Sequence, residues 1–253
     1  MINEEQRALG PAALRFAPTR VARMDQQPTE RGGPQHIPRP KIWAPGSQAP
    51  WEALEASQRQ FDLDVLEQRL AASTPGSTIT GAPAPRRTSA ILAALYTAAD
   101  ESHIILTRRP GHMRAHGGEV SFPGGGQDHG ESLWGTAERE AEEEIGLPRG
   151  AARQIGQLDR LATVSSQAEI VPFVGRLEQR PDLVASPDEV EAILHVSLTE
   201  LLTDGVYREE RWEIERVGTR SIHFFELHGD SVWGATAAML RNLLVVGLGL
   251  GNE

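Results

Sequence analysis

The chain has no cysteine, which excludes disulfides, thiolate metal ligands and a cysteine nucleophile. It also lacks any apolar run approaching the ~18 consecutive residues that a membrane helix needs. The longest apolar run, residues 243–250, contains two glycines and is too short to span a bilayer. Near the N-terminus, charged residues occupy the positions where a secretory signal would need an apolar core. We therefore expect a soluble, cytoplasmic protein with no membrane partner.

Positive charge is also scarce. Against 35 acidic residues the chain has 25 lysines and arginines, giving a formal net charge of −10. Without a broad basic field or a basic-aromatic patch, binding to nucleic acid is disfavoured. The acidic balance does not exclude a small phosphate-bearing ligand, because metal ions can bridge an acidic site to an anion. We expect a small-molecule substrate and no nucleic-acid partner.

The first third of the chain differs in composition from the rest. Residues 26–50 are dense in proline, glycine and glutamine, and such a segment buries too little apolar surface to offset its ordering entropy. Residues 62–71 place leucine and valine close to helical spacing. We predict that residues 1–85 form an irregular N-terminal extension with one short helix, and that residues 86–253 form the main domain.

The main domain mixes strands with a few helices. Residues 211–217 and 221–227 are predicted to form a hairpin, and residues 233–246 a terminal helix with Ser231 as its candidate N-cap. This mixture indicates an α/β or α+β fold class. Further strand-like apolar segments lie at residues 88–98, 102–108, 154–164, 170–177 and 190–202, the last continuing into a short helix.

The most informative segment begins at Gly125 and reads GGQDHGESLWGTAEREAEEEIGL. Five residues separate Gly125 from Glu131, and seven more separate Glu131 from Arg139. The remaining fixed points follow as Glu140, Ala141, Glu143, Glu144, Gly146 and Leu147. From average residue usage, a chance match to this spacing arises on the order of once in 10^9 start positions.

Helical geometry explains the spacing. Residues 132–145 can form a helix that ends at Gly146, which tolerates a left-handed C-cap. Glu140 lies three residues before Glu143 and four before Glu144, so the three carboxylates share one helical face. Their mutual repulsion would be removed by a hard divalent cation with oxygen ligands. The alternative interpretation is a solvated acidic helix face.

This segment resembles the Nudix box, with every fixed position filled. The resemblance implies a Nudix α/β/α sandwich with a mixed sheet, and hydrolysis of a nucleoside diphosphate linked to another group. It implies Mg²⁺ or Mn²⁺ as cofactor, bound by Glu140, Glu143, Glu144 and the carbonyl of Gly124. Candidate catalytic residues are Glu143, Glu144 and Arg139. Arg139 either contacts a substrate phosphate or forms a salt bridge that orients Glu131. The general base is left open between a box glutamate and a loop carboxylate such as Glu169 or Glu189.

The residues just upstream resemble the coenzyme A pyrophosphatase branch of this family. They depart from its pattern at Ile105 and at Pro110, where serine or alanine is usual and where proline removes a backbone donor. They agree with it at Leu106, Thr107, Arg109, Arg114, Gly118, Phe122, Pro123, Gly124 and Gly125. The resemblance extends over roughly residues 86–244.

The resemblance implies that the substrate is bound by Arg109, Arg114, Gly118 and Phe122. Guanidinium groups bind phosphate oxygens bidentately, and coenzyme A carries a diphosphate and a 3′-phosphate. The alternative for the two arginines is pairing with local acids, and Phe122 is also a candidate core residue.

The sequence therefore predicts hydrolysis of coenzyme A, with acyl or oxidised coenzyme A as further candidate substrates. Two alternatives stay open: a Nudix hydrolase of nucleoside triphosphates or nucleotide sugars, and a nucleotide-binding module without catalysis. Degenerate sites are expected to lose a metal ligand, and this one has all its glutamates. A homodimer is among the assemblies that the sequence allows.

Overall fold

The computed structural model describes residues 31–33, 35–76, 87–113, 116–162, 168–215 and 217–251. Within these ranges there are four α-helices: α1 (Leu63–Ala72), α2 (Leu133–Ile145), α3 (Leu198–Leu201) and α4 (Gly234–Leu248). The strands in the same ranges are β1 (Trp43–Pro45), β2 (Arg87–Ala98), β3 (Glu101–Arg108), β4 (Val120–Ser121), β5 (Gly124–Gly126), β6 (Arg153–Gln157), β7 (Leu161–Ala162), β8 (Ala168–Arg176), β9 (Ala192–Ser197), β10 (Tyr207–Ile214), β11 (Gly218–Glu226) and β12 (Ser231–Trp233).

The larger sheet is mixed and is built around β2. This strand pairs in parallel with β8 and antiparallel with β3 and β5. Its middle residues are apolar and buried on both faces, as expected for a central strand covered on two sides. Alternate side chains of β2 therefore enter two separate hydrophobic clusters.

Helices cover both faces of this sheet. On one face, α2 packs Ala137, Ala141 and Ile145 into the cluster that holds Leu92 and Tyr96. On the other face lie α1, α4 and the smaller sheet, which runs in the order β1-β10-β11-β12. The predicted α/β sandwich with a mixed sheet is confirmed.

The described part of the N-terminal extension packs against the rest of the chain. Strand β1 pairs with β10, placing Trp43 opposite Trp212. Trp51 is 1% exposed and stacks on Phe225, and α1 contacts α4 and β6. The predicted boundary at residues 85 and 86 lies outside the described residues, so the division into extension and domain stays a prediction.

Two local expectations differ from the structure. Ser231 does not cap the terminal helix, because it lies in β12 and α4 begins after Trp233. The strand predicted over residues 154–164 is divided, in the part up to residue 162 that the structure describes, into β6 and β7. Strand β6 shifts its register on β8 between Gln154 and Gly156. Among the described helices, α4 with its 15 residues included, none is long and apolar enough to cross a membrane.

Candidate active site

Helix α2 presents the predicted glutamates. Its first turn is capped by Ser132, whose side chain accepts a hydrogen bond from the Gly135 N–H at 3.0 Å. Its last turn ends at Gly146, which has the left-handed φ of 67° that glycine tolerates. These caps confirm the predicted helix to within one residue. Because its small residues pack on the sheet, Glu144 is buried with them, Glu140 is half-buried beside Gly125, and Glu143 is exposed.

Glu144 is the most buried of the three glutamates. It is 4% exposed and accepts a hydrogen bond from the Gly124 N–H at 3.3 Å. Burial raises the pKa of Glu144 to about 7, and the charge of Glu140 adds to the rise. The Gly124 hydrogen bond and the positive charge of Arg109 act in the opposite direction. The pKa of Glu144 thus depends on both the glycine loop and Arg109.

Glu140 shares this environment, with its side chain 15% exposed. Burial raises its pKa; the charge of Arg139 opposes the rise, whereas Glu143 and Glu189 add to it. Glu189 acts here because its loop is joined to the end of α2, where the Ser186 N–H donates to the Glu144 carbonyl at 2.8 Å. Glu189, which the sequence leaves open as a candidate general base, is therefore close enough to raise the pKa of Glu140 and Glu144.

Arg139 is held among carboxylates. Its guanidinium lies 3.2 Å from Glu131, 2.9 Å from Glu140 and 3.0 Å from Glu143. It also donates to the Gly126 carbonyl at 3.0 Å. The hydrogen bond to Glu131 is the main reason why the pKa of Arg139 is raised and that of Glu131 lowered. In this geometry Arg139 forms the salt bridge that orients Glu131 and restrains two of the candidate metal ligands.

The glycine loop approaches the glutamates closely. Gly124 has a φ of 156°, and a Cβ there would lie 2.5 Å from the Ala90 carbonyl oxygen. A Cβ on Gly125 would collide with Oε1 of Glu140. Glycine is thus required at Gly124, where a side chain would meet the backbone of β2, whereas a side chain at Gly125 would displace Glu140.

The donor set fits a divalent cation in its chemistry. Glu144 is buried and Glu140 is half-buried. The charge of Glu140 raises the pKa of Glu144, and the charges of Glu143 and Glu189 raise that of Glu140. A bound cation would relieve this repulsion. In the part of the chain that the structure describes, no three acidic or histidine side chains are already gathered as metal ligands. Glu140 and Glu143 are instead ion-paired with Arg139.

The four predicted substrate-binding residues upstream of β5 differ in their surroundings. Arg109 closes its loop through backbone hydrogen bonds with Glu119 and Gly118, at 3.0 and 3.1 Å. Gly118 adopts a left-handed φ of 75°. Phe122 is 3% exposed and packs in the core, so any effect it has on a ligand is exerted through the position of the loop. Arg114 lies outside the described residues.

Two residues beside this loop were missed by the sequence analysis. Asp230 accepts hydrogen bonds from Arg108 at 3.0 and 3.1 Å, next to Arg109. Gln35 exchanges hydrogen bonds with the backbone of Ser231 and lies beside Gly118. These contacts join positions more than 80 residues apart, so no local spacing in the sequence could have indicated them.

Comparison with known proteins adds three findings. The family model described as the NUDIX domain matches residues 86–216. A Yersinia enterocolitica protein named "Uncharacterized Nudix hydrolase NudL" is 36% identical over 146 residues, covering 56% of this chain and 73% of that relative. A MutT/nudix family protein from Enterococcus faecalis, a solved structure, has a TM-score of 0.44 and 16% identity, with 77% of each chain covered.

Proposed function

Because this chain belongs to the Nudix hydrolase family, we propose that its substrate is coenzyme A, cleaved at the diphosphate to 3′,5′-ADP and 4′-phosphopantetheine. Membership in the family makes the protein a pyrophosphohydrolase that acts on a small molecule. The choice of coenzyme A rests on the loop upstream of β5, and acyl or oxidised coenzyme A are further candidate substrates.

One observation carries the proposal. The charge of Arg109 lowers the pKa of the buried Glu144, so the upstream loop lies within electrostatic reach of the α2 glutamates, which supports a shared site. Among the described residues, no carboxylate oxygen lies within 4.0 Å of the Arg109 guanidinium, so it forms no ion pair there. Its side chain donates a hydrogen bond to Met113 Sδ at 3.4 Å. A guanidinium next to the cleavage site is suited to oxygens of a diphosphate or a 3′-phosphate.

The remaining residues divide the work. Glu140, Glu143, Glu144 and the Gly124 carbonyl would hold Mg²⁺ or Mn²⁺. When bound, the cation would neutralise charge on the diphosphate and favour ionisation of the attacking water. Arg139 restrains the side chains of Glu140 and Glu143 through its ion pairs with both. Of these three glutamates, Glu143 has the most exposed side chain, at 54%, and is therefore the one most able to accept a proton from water.

The test is incubation of the purified chain with coenzyme A and Mg²⁺ or Mn²⁺, with chromatographic separation of the products. We expect 3′,5′-ADP from the wild type and none from Glu143→Gln. Glu142→Gln is the matched control, because Glu142 lies beside Glu143 and pairs with Arg149 at 3.0 Å, away from the cluster.

A substrate comparison separates coenzyme A from other diphosphates. Dephospho-coenzyme A lacks the 3′-phosphate, and we expect it to have a higher KM. Arg109→Gln should raise KM for coenzyme A more than it lowers kcat. Turnover of a nucleotide sugar or nucleoside triphosphate without cleavage of coenzyme A would keep the family chemistry and reject the proposed substrate. No turnover of any diphosphate would favour a binding module.

A further inference from the structure

A cavity lies between the N-terminal extension, the β10–β11 hairpin and the residues at the end of α4. Its volume is about 680 Å³, within the usual range of small-molecule sites. None of the candidate catalytic or metal-binding residues lines it. The polar side chains that line it, among the residues described, belong to Ser47, Gln48, Glu209, Arg211, Ser221, His223 and Arg241.

The two arginines of this cavity lack acidic partners. Within the described ranges, neither Arg211 nor Arg241 has a carboxylate oxygen within the 4.0 Å that defines an ion pair. The Nε of Arg241 is buried and has no hydrogen-bond partner in the same part of the chain. A buried donor of a charged group that lacks an acceptor is costly. Among the described residues, the Arg241 guanidinium thus lines the cavity without a carboxylate to neutralise its charge.

The one carboxylate among the lining residues is already engaged. Glu209 accepts a hydrogen bond from Ser221 Oγ at 2.8 Å, lies 3.8 Å from His223 Nδ1, and is 8% exposed. It therefore leaves the guanidinium groups uncompensated. Two cationic side chains face the cavity with one anionic side chain, in a chain whose formal net charge is −10.

The other polar groups around the cavity are neutral near pH 7. Burial lowers the pKa of His223 to about 4 and raises the pKa of Tyr207, which is hydrogen-bonded to it at 2.8 Å, to about 12. Ser47 and Gln48 add neutral hydrogen-bonding groups. Among the described residues, the cavity thus combines two guanidinium groups that have no carboxylate partner with neutral hydrogen-bonding groups, an arrangement suited to an oxyanion.

We propose that this cavity is a second ligand site, which binds a small molecule through a phosphate or carboxylate group held by Arg211 and Arg241. This site is independent of the substrate proposed for the Nudix centre.

The experiment is isothermal titration of the full chain with inorganic phosphate, and separately with malonate, in buffer freed of metal ions by a chelating resin and containing no other oxyanion. We expect saturable one-to-one binding of at least one of them, and the preferred anion identifies the group. Arg241→Gln and Arg211→Gln should each weaken it about tenfold or more, the loss expected for a charge-assisted hydrogen bond. Arg211 is exposed, so its replacement leaves folding intact even if that of Arg241 does not.

Two controls locate the binding. Arg220→Gln removes an exposed arginine of the same hairpin that does not line the cavity, and binding should be unchanged. Arg109→Gln removes the arginine near the Nudix glutamates, and binding should again persist. The proposal is overturned if neither anion binds, or if affinity falls in Arg109→Gln and survives in Arg241→Gln and Arg211→Gln.

Discussion

Acidification should destabilise the protein through His223. In the folded state burial holds the pKa of this imidazole at about 4, below its ordinary value of 6.5, and the charge of Arg241 also lowers it, whereas Glu209 opposes the shift. The unfolded chain therefore binds more protons than the folded chain between these two values. The associated stability is present above pH 6.5 and is lost as the pH falls through 4.

The magnitude follows from the two pKa values. Integrating the linkage relation for one such group gives a loss of about 2 kcal/mol between pH 7 and pH 5, and about 3 kcal/mol once the pH is below both values. The side chain of His223 is 16% exposed, so solvent screening reduces this only modestly. For a domain of ordinary stability, about 2 kcal/mol is a substantial fraction of the total.

Urea unfolding at pH 7 and pH 5, in buffers without phosphate or carboxylate, measures the effect. Other groups also titrate in this range, so the informative quantity is the difference between wild type and His223→Gln, which cannot gain the proton. We expect the variant to lose about 2 kcal/mol less than the wild type on acidification. Equal losses in both proteins would show that His223 is not held neutral by its surroundings, and would refute the reasoning.

Three further predictions concern folding and the active site. Trp51→Ala should lower the free energy of unfolding by about 3–5 kcal/mol, because a fully buried indole is removed; a loss below about 1 kcal/mol in urea titrations would contradict its place in the core. Glu131→Gln should weaken Mn²⁺ binding about 10–100-fold, because Arg139 loses its main orienting partner; unchanged affinity by calorimetry would argue against that role. Gly125→Ala should reduce kcat by displacing Glu140, while circular dichroism reports an intact fold; full activity would show that the loop can move aside.

Several features were predictable from sequence because they depend on residues near one another along the chain. The bounds of α2 follow from Ser132, Gly146 and the apolar spacing between them. The position of three glutamates on one helical face follows from 3.6 residues per turn. The sequence likewise offered a salt bridge between Arg139 and Glu131 as one of two alternatives, and the structure contains that bridge at 3.2 Å.

Other features depended on the tertiary structure. Composition indicated an irregular N-terminal extension, and only the structure shows where it packs: Trp51 is buried against the smaller sheet, because one large apolar side chain can anchor a segment that is otherwise polar. The charge of Arg109 acts on Glu144, and Gln35 lies beside Gly118. Both relations exist only in the assembled sheet, because the residues are far apart along the chain.

The sequence by itself thus determined the family, the bounds of α2 and the placement of the candidate metal-binding carboxylates on that helix, since local spacing and capping specify them. The tertiary structure alone decided how deeply each carboxylate is buried, which arginines are paired, and that Arg211 and Arg241 face one cavity. The physical reason is that burial and charge compensation depend on neighbours brought together across the whole chain. Helical periodicity contains no information about those neighbours.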